Sequence, residues 1–482
     1  MSLVKNDGKV FGLGNSVIMA SPGSSFLKRW YESYRTFRSR GHDEFYDEHG
    51  AGYSYRLARE HPAEITLLDE TAFLTPDMTP RGIASLFLSD ADYPSAFCHH
   101  LWGKNAQDVI ESLNEWNVGL YPGLYSRQVQ AVIGDELQRL RETGSGCSPA
   151  AIVPVIPRYA VVHVSAVHEI QRRFTDTVAA AQANAEGRGM VTTARDADIG
   201  NLWVLLNEWA RLKVELPLEV WSLEGELSED NQARLATVTP WIRLRIVPRN
   251  VGSAVLKSYA LCYSPLKQML WLDNDCVPIR DPAVLFTDPE FVAKGSLFWL
   301  DADGIKPADA FGPMAGIWKL YGIPYNDCPA LSPKQFLVDK ARCLAQLLLA
   351  MFVNRNQNLY GSLCGEGAAE TGSFRFAWQY LQFRRDGALR TTGYLTDGDS
   401  RAFGIMPFEP EHPACTTTEE SQGRGRWRVY CDRSGQPMFN QAVVRSSAVD
   451  QGFDVEPIAT NAALYRDHLA RLQGIDTPHR RL

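Results

Sequence analysis

The segment that decides the fold reads QMLWLDNDCVP and spans residues 268–278. Its first five residues are mostly apolar and predict a buried strand over 268–272. Two carboxylates, Asp273 and Asp275, follow directly, and Pro278 is expected to end the regular structure. In open α/β sheets, ligands bind beyond the carboxyl ends of the strands. We therefore expect this segment to carry the binding site of an α/β domain.

The surrounding residues alternate between strand and helix patterns, which predicts βαβ units and a parallel sheet. The strands are expected at 190–193, 218–221, 242–247 and 295–300, and the helices at 160–185, 200–213 and 253–263. Together with the strand at 268–272 they form a Rossmann-like half. No GxGxxG follows the first strand, so a conventional dinucleotide site is not indicated.

Composition places the chain among ordinary globular proteins and excludes several classes. Its 482 residues, 45% of them hydrophobic, suffice for a sizeable core and for two to four domains at roughly 150 residues each. A net charge of −7 argues against a broad nucleic-acid surface. No window approaches the about 18 uninterrupted apolar residues of a membrane helix. The nine cysteines show neither CxxC pairs nor zinc spacing.

A cluster of chain breakers predicts the domain boundary. Residues 144–149 read GSGCSP, and two further prolines follow at 154 and 157. We therefore predict a partial α/β module over 1–133, a linker over 134–158 and a larger domain over 159–482. Within the first module, helices are expected at 24–40 and 51–60 and a short strand at 64–68.

The two carboxylates after the strand at 268–272 are hard oxygen ligands, which suit Mg²⁺ or Mn²⁺ held jointly by the protein and a diphosphate. Such an ion would neutralise charge on a leaving nucleoside diphosphate. A strand-end turn, in which Asp273 and Asn274 make local hydrogen bonds, is the alternative. Lys257, about 16 residues upstream, is expected either to reach a phosphate or to be a solvated helix lysine.

A second strand also ends in carboxylates. The segment 295–300 is followed by Asp301 and Asp303. Either side chain is a candidate to orient an acceptor hydroxyl group, and either is equally suited to cap the next turn.

Several motifs occur in a fixed order over about residues 186–445. They are LPLEVW at 216–221, EL at 226–227, LKSYAL at 256–261, LWLDND at 270–275, DP with LF over 281–286, the strand with Asp301 at 295–301, QFLVDK at 335–340 and FRFAW at 374–378. Together they resemble the fungal α-mannosyltransferase family typified by α-1,3-mannosyltransferases. The resemblance implies a GT-A-type α/β fold, GDP-mannose as the donor, Mn²⁺ (or Mg²⁺), retention of the α-anomer and a Golgi location.

The same resemblance implies roles for individual residues. Asp273 and Asp275 correspond to the family's metal–diphosphate motif and Lys257 to its upstream lysine. Gln335, the first residue of its motif, is assigned to the donor site. For catalysis the candidates are the carboxylates Asp301, Glu366 and Glu370.

The sequence departs from the family at three places. The family usually has Glu-Ser-Gly before the glutamine, where this chain has Ser332-Pro333-Lys334. A Gly-Asp-Lys-type run is replaced by residues 365–373, which offer Glu366 or Glu370 as a carboxylate. Near the end, a Phe-x-His is replaced by a motif that ends in Asn440.

The first module has a resemblance of its own. The segment 14–23, the residues Phe26 and Trp30, and the pair His100 and Trp102 are similar to the carboxyl-terminal part of sugar transferases with a DxD sugar-binding region. In those enzymes the metal motif comes before this part. We therefore expect residues 10–133 to form a partial, inactive transferase module.

The resulting hypothesis is a metal-dependent glycosyltransferase that moves mannose from GDP-mannose to a glycan with retention. Its expected partners are a nucleotide-sugar donor and a glycan or glycoprotein acceptor, with no nucleic acid, and a membrane only through an anchor absent from this chain. The alternative is a nucleotide-sugar-binding or scaffolding protein that has lost catalysis. A glycoside hydrolase is less favoured. It needs a pair of carboxyl groups roughly 5–10 Å apart, and Asp273 and Asp275 at one strand end do not show that spacing.

Overall fold

The computed structural model describes residues 1–6, 9–14, 17–38, 46–143, 153–160, 164–181, 185–300, 315–323, 325, 331–364, 369–386, 404–405, 429–431, 437–441, 444–446 and 453–455. The chain divides into two compact units. The first consists of Met1–Thr143 with Val155–Ile170, and the second of Gly144–Pro154 with Gln171–Leu482. The predicted module boundaries themselves stay a prediction.

The described part of the first unit combines a small hairpin with several α-helices. Strands β1 (Ser2–Asn6) and β2 (Lys9–Gly14) pair in antiparallel fashion. The helices are α1 (Ser25–Ser33), α2 (Ser54–Glu60), α3 (Pro80–Phe87), α4 (Gly103–Ile110) and α5 (Leu124–Thr143). Helix α5 therefore includes the first ten residues of the predicted linker. The next helix, α6 (Val164–Ala181), extends from the first unit into the second.

Local chemistry explains where α1 begins and how the strand predicted at 64–68 differs from the structure. The Ser24 hydroxyl accepts a hydrogen bond from the backbone N–H of Leu27 and caps α1, which buries Phe26 and Trp30. Of the strand predicted at 64–68, only a bridge at Leu68 forms: its N–H donates to the carbonyl of Met1 at 3.0 Å, and its carbonyl accepts from the N–H of Leu3 at 2.9 Å. Glu64 belongs instead to a 3₁₀ turn over Pro62–Glu64, which Pro62 starts. A proline ring presets φ for the first position of a helical turn.

In the described part of the second unit, seven strands form a mixed sheet. The strands are β3 (Glu186–Thr193), β4 (Leu218–Leu223), β5 (Ile242–Val247), β6 (Leu266–Leu272), β8 (Ser296–Leu300), β9 (Leu331–Asp339) and β10 (Gly404–Ile405). Their order is β10-β8-β9-β6-β3-β4-β5. Strands β5, β4, β3 and β6 run parallel, while β9 is antiparallel to both of its neighbours.

Helices and two small sheets complete this unit. The helices are α7 (Ile199–Arg211), α8 (Glu229–Ala236), α9 (Ser253–Tyr263), α10 (Pro289–Lys294), α11 (Gly316–Tyr321), α12 (Lys340–Arg355), α13 (Gln357–Cys364) and α14 (Ala369–Asp386). Strand β7 (Cys276–Pro278) joins β11 (Val429–Cys431) and β12 (Pro437–Gln441), and β13 (Val444–Ser446) pairs with β14 (Phe453–Val455). Regular structure thus continues as far as Pro278 before it ends.

The order of the four parallel strands is that of a Rossmann half, third-second-first-fourth. The Rossmann-like α/β fold predicted from the sequence is therefore the fold of this unit. Each predicted parallel strand is present, and the bounds of β5 and α9 agree with the prediction. Strand β4 is buried along its whole length, as expected when helices cover both faces of a parallel sheet.

The core of the second unit lies between this sheet and its helices. Met190, Leu270, Leu272 and Leu337 are fully buried on three adjacent strands, and Trp209 of α7 packs in the same cluster. No helix among the described residues is long and apolar enough to cross a lipid bilayer.

Candidate functional site

A cleft of about 520 Å³ opens where the parallel strands of the second unit end. Its lining comes from the residues that follow β3, β4 and β6, from the first turns of α7 and α9, and from β9. These residues are Thr193, Ala194, Arg195, Asp198, Asn201, Glu226, Ser253, Ala254, Leu256, Asp273, Asn274, Asp275 and Lys334. The predicted Asp273 and Asp275 therefore lie in a cleft at the carboxyl edge of the sheet.

A short turn holds the first carboxylate in place. The backbone N–H of Asp273 donates to the carbonyl of Lys334 at 2.8 Å, and the N–H of Cys276 donates to the carbonyl of Asp273 at 2.9 Å. The side-chain Oδ1 of Asp273 accepts from Trp271 Nε1 at 2.8 Å and from Lys257 Nζ at 3.0 Å. These contacts hold Oδ1 of the carboxylate and leave Oδ2 available for a contact with another group.

Lys257 acts on Asp273. Its side chain is only 4% exposed, and Nζ also donates to the carbonyl of Pro333 at 2.7 Å. The ammonium lies 4.6 Å from the ring centre of Trp271, in a cation–π arrangement. Lys257 does not line the cleft, so its described contacts are those of a residue that positions Asp273; a direct contact with a phosphate stays a prediction.

Lys334 bridges the two carboxylates. Its Nζ lies 2.9 Å from Asp275 Oδ2 and 3.3 Å from Asp273 Oδ2, and its side chain is 31% exposed. Partial burial disfavours the charged amine, but the neighbouring carboxylates of Asp273 and Asp275 outweigh this effect and raise the pKa of Lys334. In the sequence, this lysine stands out only as a departure from the pattern of the resembled family.

The first turn of α9 adds a second positive feature to the cleft. Gly252 precedes this helix with φ of 80°, a left-handed conformation that glycine adopts at little cost. Ser253 and Ala254 then line the cleft. Unpaired N–H groups at the start of a helix carry partial positive charge and favour a nearby anion.

Gln335 lies behind the cleft. It is fully buried on β9, opposite Leu272 of β6, and its Oε1 accepts from the thiol of Cys276 at 3.6 Å. Burial, followed by the negative charge of Asp275 and Asp273, raises the pKa of the Cys276 thiol well above its usual range. Gln335 does not line the cleft, and its assignment to the donor site stays a prediction.

The three predicted catalytic carboxylates are not tested by the structure. Asp301 and Glu366 lie outside the described residues, as does Asp303. Glu370 lies in the first turn of α14, and its side chain is likewise outside the description. The backbone of Asn440, at the position of the family's histidine, pairs with Val277, two residues beyond Asp275.

In the first unit, the predicted His100 and Trp102 contact each other. Their ring centres lie 4.0 Å apart with the ring planes tilted by 37°, and His100 Nδ1 accepts from the backbone N–H of Trp102 at 3.0 Å. Trp102 Nε1 donates to the carbonyl of Pro76 at 2.6 Å. Burial lowers the pKa of His100. These contacts stabilise a local turn, and the resemblance of this unit to a partial transferase stays a prediction.

The cleft as described does not fit a divalent cation held by Asp273 and Asp275. An Oδ2 atom of each carboxylate already contacts the ammonium of Lys334. Among the described residues, no group of three or more histidine, cysteine, aspartate or glutamate side chains could hold a metal ion. The expected Mn²⁺ or Mg²⁺ stays a prediction.

Among the cleft residues for which no site role was predicted are Glu226 and Lys334. Glu226 follows β4, and its Oε2 is buried with no hydrogen-bond partner among the described residues. The sequence signal for Glu226 was its place in the motif EL at 226–227, which belongs to the resemblance to mannosyltransferases. For Lys334 it was a basic residue where the resembled family has glycine.

Comparison with known proteins adds an independent observation on this part of the chain. Residues 187–316, which include β3 to β6 and the cleft carboxylates, match the family described as "Mannosyltransferase putative". The resemblance of this segment to mannosyltransferases is confirmed.

Two fungal proteins share part of the sequence. The glucan organizing enzyme 1 of Cryptococcus neoformans is 28% identical over 126 residues, which cover 26% of this chain and 33% of that protein. The alpha-1,2-mannosyltransferase MNN24 of Candida albicans is 30% identical over 145 residues, which cover 24% of this chain and 20% of that protein. The chain thus spans one third or less of the length of these relatives.

Solved glycosyltransferase structures show a weak likeness. The galactosyltransferase LgtC is 12% identical with a TM-score of 0.31, and the match covers 45% of this chain and 84% of that one. The bifunctional glycosyltransferase WbbM is 11% identical with a TM-score of 0.29, over 73% of this chain and 77% of that one. These scores are too low to carry an argument.

Proposed function

We propose that this chain is a glycosyltransferase that binds a nucleotide sugar in the cleft of its second unit and transfers mannose from GDP-mannose to a glycan acceptor with retention. The observation that carries the proposal is the placement of Asp273 and Asp275 at the carboxyl end of β6, in a cleft within the segment that matches mannosyltransferases. Ligands of open α/β sheets bind at this edge.

The charges of the cleft suit the diphosphate of such a donor. The ammonium of Lys334 and the first turn of α9 both present positive charge to the same space. Both are fixed before any ligand binds, since Asp273 and Asp275 orient Lys334 and the turn is part of helix α9. Preorganised charge near a leaving group stabilises the transition state at no reorganisation cost.

Retention places the acceptor on the face of the sugar from which the diphosphate departs. The acceptor oxygen forms its bond to the anomeric carbon as the carbon–oxygen bond to the diphosphate breaks. The departing phosphate oxygen takes the proton of the acceptor hydroxyl, so no side chain is needed as a base. The residues of the cleft then bind and orient the diphosphate and stabilise its growing charge.

Glu226 supports guanine as the base of the donor. Its buried Oε2 faces no donor among the described residues, and a carboxylate accepts well from the ring N–H and exocyclic amino group of guanine. We expect Glu226→Gln to weaken GDP binding about tenfold, because one charged acceptor is lost, and to leave UDP binding unchanged. Calorimetric titration of both nucleotides into wild type and variant measures this. An equal change for GDP and UDP would contradict the role in base recognition.

The test of the proposed activity is a screen of nucleotide sugars with a panel of glycan acceptors, read as released nucleoside diphosphate and as labelled product. We expect turnover with GDP-mannose. Asp275→Asn should reduce it at least about 100-fold, because the charge that orients Lys334 is lost. Asp230→Asn, an exposed change on α8, is the matched control and should retain wild-type turnover. Transfer that is unchanged in the Asp275 variant would overturn the assignment.

A nucleotide-sugar-binding or scaffolding protein without catalysis is the competing function. It is favoured by the departures from the family pattern at Lys334 and Asn440. Binding of GDP with neither transfer nor hydrolysis, across the acceptor panel, would support it. A glycoprotein acceptor and a place in the secretory pathway, with the Golgi expected, belong to the first proposal.

A further inference from the structure

The ammonium of Lys334 occupies the position between the two carboxylates that a divalent cation would need. Strand β9 returns antiparallel to β6, and the carbonyl of Lys334 accepts from the N–H of Asp273 at 2.8 Å. This backbone contact fixes Lys334 beside Asp273. Its side chain then reaches Asp275 Oδ2 at 2.9 Å and Asp273 Oδ2 at 3.3 Å.

Charge is balanced within this group of four residues. Two aspartates carry two negative charges, and the ammonium groups of Lys257 and Lys334 carry two positive charges. Lys257 is buried and contacts Asp273 from behind the cleft, whereas Lys334 lines the cleft and keeps part of its surface exposed. A divalent cation next to Lys334 would meet like charge at short range, which is strongly unfavourable in a partly buried site.

Lys334 also retains the capacity to bind a ligand. A protonated lysine has three N–H donors, and the two carboxylates take one each in the described contacts. The remaining donor and the full positive charge lie at the wall of the cleft. Hydrogen bonds between an ammonium and phosphate oxygens are charge-assisted and short.

We propose that Lys334 replaces the divalent metal ion in this site. Its ammonium, oriented by Asp273 and Asp275, binds the diphosphate of the donor. Donor binding therefore does not require a metal ion. This inference rests on the proposed function for the presence of a nucleoside diphosphate. It reverses the metal dependence expected from the sequence. This role depends on Lys334, which stands directly before Gln335 in this chain.

The experiment titrates the purified full chain with GDP in EDTA and in excess Mn²⁺, and separately with Mn²⁺ alone, followed by the paramagnetic resonance signal of the free ion. Wild type should bind GDP with an affinity that changes less than about threefold between the two conditions. Lys334→Met should lose at least about tenfold in GDP affinity in EDTA and gain at least about tenfold in affinity for Mn²⁺ alone, because the carboxylates become available.

Two further variants serve as controls. Lys334→Arg keeps the positive charge and should retain GDP binding in EDTA. Lys267→Met removes an exposed lysine from β6 that does not line the cleft, and it should match wild type in every titration. Circular dichroism and thermal unfolding confirm that each variant is folded.

The outcomes separate this inference from the proposed function. If wild type binds GDP only with Mn²⁺, or if Lys334→Met binds GDP in EDTA as tightly as wild type, the inference is overturned and the proposed function stands. If wild type binds no nucleoside diphosphate under either condition, the proposed function fails, and the role of Lys334 towards a diphosphate fails with it.

Discussion

At the residue scale, Asp273 is held from two sides. Oδ1 accepts from Trp271 Nε1 and Lys257 Nζ behind the cleft, and Oδ2 contacts Lys334 at its wall. Each contact restricts the carboxylate to one orientation. The geometry of the cleft therefore depends in part on Trp271 and Lys257, which do not line it.

The indole N–H of Trp271 offers a way to test this. Trp271→Phe keeps an aromatic ring beneath Lys257 but removes the hydrogen bond to Asp273. We expect GDP affinity to fall about two- to twelvefold, the equivalent of the roughly 0.5–1.5 kcal/mol that a hydrogen bond contributes net. Titration calorimetry measures the change in affinity.

The matched control is Trp209→Phe in α7. Trp209 is fully buried, and its indole N–H has no hydrogen-bond partner among the described residues. This substitution should lower thermal stability through lost packing and leave GDP affinity unchanged. If both variants weaken GDP binding equally, Trp271 has no specific role in positioning Asp273.

At the element scale, α9 connects the cleft to a buried lysine at its other end. Its first turn lines the cleft and its middle carries Lys257. At its end, Lys340 Nζ donates to the carbonyls of Cys262 and Ser264. A cation at a helix C-terminus satisfies carbonyls that have no partner within the helix and interacts favourably with the helix dipole.

Removal of this lysine should destabilise the second unit. Lys340 is almost fully buried, so Lys340→Met leaves two buried carbonyls without this donor, at a cost of roughly 1–3 kcal/mol. Chemical denaturation measures the free energy of unfolding. Lys319→Met, on the exposed side of α11, is the control and should change stability by less than about 0.5 kcal/mol. Equal stability of the two variants would contradict the capping role.

At the scale of the whole molecule, the second unit is organised around β6. This strand lies between β3 on one side and β9 on the other, and Leu270 and Leu272 point into the largest described core. The segment that ends β6 is therefore anchored by packing on both sides. Such a support is what a preorganised binding site requires.

Much of this architecture was predictable from local patterns. Strand β5 and helix α9 have the predicted bounds, because their apolar spacing and flanking breakers are local signals. The placement of Asp273 and Asp275 at a strand end was predictable for the same reason. The strand predicted at 64–68 is reduced to a bridge at Leu68, and Pro62 places Glu64 in a helical turn.

The sequence by itself determined the parallel strands, the two carboxylates after β6 and the resemblance to mannosyltransferases, since each depends on neighbouring residues or on their order. The tertiary structure alone decided that β9 returns antiparallel beside β6 and sets Lys334 against residues about 60 positions earlier. No local pattern encodes that pairing, because strand registry across such a distance depends on packing of the whole sheet. For this reason the charge at the centre of the cleft could be assigned only from the fold.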